Sequence, residues 1–225
     1  MGKIKKNIVL ILLFYSIACF AQTRTFYTNG SEDVKKISLT FDDGPGKATK
    51  QILEILEEKN IKATFFMLGV RVVNDPETAK AVAAAGHEIG NHTYEHINFY
   101  TYKNEDKAEK IEKELLQCEK VIKSILGIQS FLTRFPYGYM KSDAIGAAKK
   151  HNYCLINWSF GADWQDISAE EMHVKYKQAI KNGAIFLMHD LPKNKKVLSF
   201  LETFIDEIKE EGYKIVTVSE LLNLT

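Results

Sequence analysis

The chain has 225 residues but only three cysteines and four prolines, and almost no net charge: 30 basic against 29 acidic side chains leave +1. So few cysteines cannot frame a domain of this size with disulfides. Cys118 lies in a helical pattern of charges and leucines, and Cys154 in an apolar strand-like run, so both read as free thiols acting as small hydrophobes. The near-zero charge excludes recruitment of nucleic acid or an anionic membrane surface by bulk electrostatics and suits a neutral substrate. With 45% apolar and 26% charged residues the composition is neither fibrous nor disordered. Long apolar runs are also missing, since Ile8–Ala18 is too short to span a bilayer comfortably.

That short run has another reading. Lys3, Lys5 and Lys6 precede it as a basic region, and Ala21 offers a small residue for cleavage before Gln22. This is the pattern of an export signal over residues 1–21. Lipoprotein processing at Cys19 is the alternative, although Leu is missing from its usual place three residues earlier. A polar lead-in, loosely packed, is expected over 22–35. A single domain is expected over 36–225, with no transmembrane span in the mature chain.

Within that domain, apolar runs alternate with amphipathic segments, the pattern of βα units around a parallel sheet. The strand candidates are Ile37–Phe41, Ala63–Leu68, His87–Gly90, Phe131–Arg134, Tyr153–Trp158, Ala184–Met188 and Lys214–Val218. Thr49–Lys59 and Glu105–Leu126 carry helical apolar stripes. Asp75-Pro76 marks a helix start, and Gly86 and Gly127 mark helix ends. The pattern predicts a barrel-like α/β fold, in which chemistry gathers where strands end.

Polar residues collect at those ends. Asp42 and Asp43 follow the first strand, His92 the third and His189 the sixth; Arg134 closes the fourth, and Asp163 follows the fifth. Taken alone, Asp42-Asp43-Gly44-Pro45 is equally a solvated turn. As chemistry, one carboxylate can hold a cation while the other takes a proton. His92 and His96, four apart on a helical or tight-turn segment, can face one point and chelate a borderline-soft metal. Two imidazoles and the Asp43 carboxylate would leave positions open for water, as a catalytic centre requires. His87, His151 and His173 have no such partners.

Five segments in order, Thr40–Pro45, His92–His96, Arg134-Phe135-Pro136-Tyr137, Asp163-Trp164 and Leu187-Met188-His189, resemble the motifs of NodB-homology polysaccharide deacetylases, carbohydrate esterase family 4. The resemblance extends from Lys36 to Leu222 and implies a distorted (β/α)7 barrel in a single α/β domain. It implies Asp42 as general base, Asp43, His92 and His96 as ligands of one divalent metal, and His189 as general acid. Arg134 would orient Asp42, and Asp163 would hold His189. The Tyr137 N–H, fixed by Pro136, would meet the oxyanion, while Trp164 and Leu187 would line a pocket for an acetyl methyl. Zn2+ suits the mixed imidazole and carboxylate set, with Co2+, Ni2+ or Mn2+ as alternatives.

One departure stands out. Family members commonly carry a further Asp three residues before the one matched by Asp163, and here that place holds Phe160. The reading that follows is an exported, monomeric N-deacetylase acting on a polysaccharide built from N-acetylglucosamine, such as peptidoglycan or a chitin-like oligosaccharide. An O-deacetylase of acetylated polysaccharide such as xylan, and a sugar-binding relative without catalysis, are the alternatives. Substrate choice is expected to lie in the loops Phe99–Asp106 and Leu191–Lys196.

Overall fold

The computed structural model describes residues 26–191 and 195–224, so the expected export segment lies outside the described residues. Among the described residues there are nine strands: β1 Phe26–Tyr27, β2 Lys36–Gly44, β3 Thr64–Met67, β4 Glu88–Asn91, β5 Leu132–Thr133, β6 Cys154–Ile156, β7 Phe160–Gly161, β8 Ile185–His189 and β9 Lys214–Ile215. All pair in parallel, in the order β1-β6-β5-β4-β3-β2-β8-β7, while β9 pairs with the start of β2. Helices connect them: α1 Thr49–Glu58, α2 Gly69–Asn74, α3 Pro76–Ala84, α4 Lys107–Leu126, α5 Ser142–Lys150, α6 Ala169–Gln178, α7 Lys195–Glu210 and α8 Val218–Leu222. The sheet curls into the expected distorted (β/α)7 barrel, with β1 and β7 as short additions. Residues 26–27, expected within a loose lead-in, instead pair with β6.

Alternation along β2 decides what faces where. Ile37, Leu39 and Phe41 join the main core with Ile52 and Leu56 of α1 and Leu201 and Phe204 of α7. Ser38, Thr40 and Asp42 alternate with them; Ser38 donates to the Val216 carbonyl and Thr40 to that of Phe186. Burying each large apolar side chain contributes about 1.5–3 kcal/mol. A one-residue slip of β2 would exchange the two sets, so burial pins the register and with it the position of Asp42.

Helix ends follow the expected chemistry. The Asp75 side chain accepts from Thr78 N–H at 3.1 Å ahead of Pro76, and Gly127 closes α4 at φ 71°. Because every strand runs the same way, the residues after β2, β4, β5, β7 and β8 emerge at one end of the barrel.

Candidate active site

Asp42 and Asp43 are neighbours that face one cleft, which regular strand alternation would forbid. Between β2 and β3 the register shifts at this point: Asp42 opposes Phe66 and Gly44 opposes Met67, leaving Asp43 as an extra residue. It sits in the left-handed region at φ 74°. A bulge of this kind re-aims a side chain, and here it brings the second carboxylate to the side of the first.

The His92–His96 segment forms a tight turn after β4 and contains no helix. Thr93 at φ 71° and His96 at φ 63° are both left-handed. His92 Nδ1 is 2.6 Å from the Arg134 carbonyl, which can only accept, so Nδ1 carries the proton and the Nε2 lone pair is free. The two Nε2 atoms, of His92 and His96, approach Asp43 Oδ1 at 3.2 and 3.0 Å.

Those three atoms are the test of whether a metal fits. Ligand atoms of Asp43, His92 and His96 lie within 4.8 Å of one another, the only such group of three found among the described residues. Asp43 Oδ1 is buried and has no hydrogen bond of acceptable geometry. An orphaned buried carboxylate oxygen beside two imidazoles, one with its far nitrogen tied to a carbonyl, is the donor set of a borderline divalent cation. Burial raises the Asp43 carboxyl, but the closely apposed imidazoles of His92 and His96 outweigh it and hold it well below the usual carboxylate range.

Arg134, fully buried, spends its donors on this centre. Its NH1 donates to Asp42 Oδ1 and Thr40 Oγ1, each at 2.7 Å, while Nε and NH2 reach the carbonyls of Ile156 and Asn157. Phe66 and Trp158 flank the guanidinium, at 4.2 and 5.7 Å from their ring centres. Asp42 Oδ2 is left facing the metal-type cluster, 3.8 Å from His92 Nε2.

On the opposite wall Asp163 grips His189 twice: its Oδ2 accepts the His189 backbone N–H at 2.7 Å and its Oδ1 accepts from Nδ1 at 2.9 Å. Burial lowers the His189 imidazole, but the Asp163 hydrogen bond and charge, aided by Asp42 and Asp43, win and raise it to about 9. The cleft between these walls encloses about 420 Å3 and is also lined by Tyr137, Trp158, Trp164 and Leu187. Tyr137 adopts φ 59° directly after Pro136, and its ring meets that of His96 edge-on.

The family model for polysaccharide deacetylase matches residues 29–156. A peptidoglycan-N-acetylglucosamine deacetylase of Bacillus cereus is 36% identical over 193 residues, covering 84% of this chain and 88% of the relative. The chain belongs to the polysaccharide deacetylase family. A chitin deacetylase of Colletotrichum lindemuthianum is 29% identical, covering 83% of this chain and 79% of its own length. Among solved structures, the Bc1960 peptidoglycan N-acetylglucosamine deacetylase superposes with a TM-score of 0.82 at 30% identity, over 88% of this chain and 93% of that one. BA3943, a pseudoenzyme of carbohydrate esterase family 4 from Bacillus anthracis, gives 0.80 at 28% identity, over 87% and 68%.

Where this polysaccharide deacetylase departs from its family's pattern, packing accounts for the change. Phe160 lies in β7 with its ring edge-on to Tyr176 and Phe186, an apolar filling that leaves Asp163 still bonded to His189. Sequence reasoning missed two buried carboxylates behind the cleft, Asp190 and Glu114. Glu114 sits in a charged helix and Asp190 borders a loop, so neither carries a sequence signal. The three unassigned histidines lie elsewhere: His87 Nδ1 accepts from Ala63 N–H, while His151 and His173 pair with Glu112 and Glu207.

Proposed function

We propose that this protein is a metal-dependent hydrolase that removes acetyl groups from N-acetylglucosamine units of a polysaccharide, peptidoglycan or a chitin-like chain, after export directed by residues 1–21. The observation that carries the reading is the pairing of a divalent-cation donor set with a carboxylate on one wall of the cleft and a carboxylate-held histidine on the other. Several relatives bear the name peptidoglycan-N-acetylglucosamine deacetylase.

Asp43, His92 and His96 would hold the metal, Zn2+ by the chemistry of its donors. When bound, such a cation supplies Lewis acidity, polarising an acyl carbonyl and acidifying water. The residues of the chain do the rest. Asp42 takes the proton of the attacking water at Oδ2, the oxygen that Arg134 leaves open, while Arg134 fixes the carboxylate through Oδ1. Tyr137 lines the cleft, and its N–H is the donor assigned to receive charge as the carbonyl becomes tetrahedral. Leu187 and Trp164 enclose the methyl group and exclude water from it. When the C–N bond breaks, the departing amine needs a proton. His189, with Nδ1 held by Asp163, delivers it from Nε2 and leaves acetate and a free amino sugar.

Retention of the base, the acid and the full donor set argues against a silent binder, which has no use for them. Acetate release by the purified, Zn2+-loaded protein from chitooligosaccharides, peptidoglycan and acetylxylan tests the proposal. Release from the first two is expected. Release from acetylxylan alone would replace amide with ester hydrolysis, and no release from any would refute deacetylation.

A further inference from the structure

Both turns that carry metal-type ligands are held in conformations that side chains avoid. Asp43, Thr93 and His96 all have positive φ, and Thr93 is β-branched, the least tolerant type there. Such backbone persists only where its surroundings over-determine it. Each turn rests on a buried carboxylate outside the five motifs.

Behind the first turn lies Asp190, fully buried. Its backbone N–H donates to the Asp42 carbonyl at 3.3 Å, and its Oδ2 accepts from Thr49 Oγ1 at 2.5 Å. Thr49 Oγ1 in turn accepts the Gly46 N–H at 2.7 Å. The carboxylate lies so close to Gly44 that a Cβ there would collide with it. Asp190, Thr49 and Gly46 therefore brace the loop leaving Asp42 and Asp43. Behind the second turn lies Glu114 of α4, also fully buried. Its Oε2 accepts the N–H groups of Tyr94 and Glu95, at 3.0 and 2.7 Å, two of the three residues between the histidines. Lys110 balances its charge from 3.1 Å.

We propose that Asp190, acting through Thr49, and Glu114 are positioning residues that hold the two strained turns so that Asp43, His92 and His96 converge. The proposal rests on the metal-site reading above and assigns neither residue a contact with substrate.

The test is Zn2+ titration of the metal-free full-length protein, which needs no substrate. Thr49→Val preserves volume but removes the link to Asp190, and Glu114→Leu removes both turn contacts. Each is expected to weaken Zn2+ binding about 10- to 100-fold, the usual cost of losing an outer partner of a metal site. Thr49→Ser and Glu114→Gln keep the acceptor and donor atoms and are expected to stay within roughly threefold, less than one net hydrogen bond. Folded Thr49→Val and Glu114→Leu proteins with wild-type affinity would overturn the proposal. Equal losses in the conservative variants would also overturn it, because general loosening would then explain the effect. If Glu114→Leu fails to fold, Thr49→Val decides. A wild-type protein that binds Zn2+ but releases no acetate refutes the proposed activity alone, whereas one that binds no Zn2+ refutes the metal site and this proposal together.

Discussion

Arg134→Met should be the most destabilising single change at the cleft. Arg134 and Asp42 are 0% and 2% exposed and meet at 2.7 Å, so the substitution strands a carboxylate away from water. Breaking a buried pair from one side costs about 3–5 kcal/mol. The carbonyls of Ile156 and Asn157 also lose a donor, each worth about 1 kcal/mol net. Together these make about 5–7 kcal/mol, and at about 2–4 °C per kcal/mol for a domain of this size the melting temperature should fall by roughly 10–28 °C. Denaturant unfolding in the presence of a chelator measures the loss without metal linkage. Adding Asp42→Asn removes the stranded charge, so Arg134→Met/Asp42→Asn should be more stable than Arg134→Met alone, with a coupling of about 2 kcal/mol in the double-mutant cycle. Both variants should be nearly inactive. A loss below about 1 kcal/mol, or strictly additive effects, would refute the buried pair as the support of Asp42.

Two further outcomes follow from other parts of the molecule. Burial, with a smaller contribution from Lys62, lowers the His87 imidazole from 6.5 to about 4. Its protonation therefore favours the unfolded chain: the contribution is complete above pH 6.5 and is lost as pH falls towards 4, about 3 kcal/mol in all. His87→Asn, which keeps an acceptor for Ala63 N–H, should flatten the stability curve in that window; an unchanged curve would contradict it. Leu187 lines the cleft and is 2% exposed, so Leu187→Ala should shift the preference for N-acetyl over N-propionyl substrates by about tenfold towards propionyl, and an unchanged ratio of kcat/KM would remove Leu187 from the acyl pocket.

The barrel was largely legible because its central strands are apolar, β-branched runs, and burial of Ile37, Leu39 and Phe41 fixes the register that delivers Asp42. The strands β1 and β7 were not, since neither lies in a longer apolar run; Phe26–Tyr27 is ordered by pairing with Leu155–Ile156, and Phe160–Gly161 by pairing with Phe186–Leu187. The candidate site residues could be proposed because their strand-end positions and their ordered likeness to the family's motifs are visible in the sequence. How they converge could not: the bulge at Asp43 and the left-handed turn at Thr93 and His96 depend on Asp190 and Glu114, whose partners lie 141 and 19–20 residues away in the chain. In the loop 99–106, expected to bear on substrate choice, Phe99 is fully buried against Phe135 and Tyr139, while Tyr100 is exposed and its hydroxyl donates to the carbonyl of Gly138, which lines the cleft. The other expected specificity loop, 191–196, lies partly outside the described residues.

Activity of Asp42→Asn and Asp43→Asn measured against metal concentration separates the two adjacent carboxylates most directly. Asp43→Asn should weaken metal binding first, and added Zn2+ should restore part of its turnover. Asp42→Asn should bind metal normally yet remain about 10²–10⁴-fold slower at every concentration, the usual contribution of a general base. Rescue of Asp42→Asn to near wild-type rates by metal alone would contradict the division of labour between base and ligand.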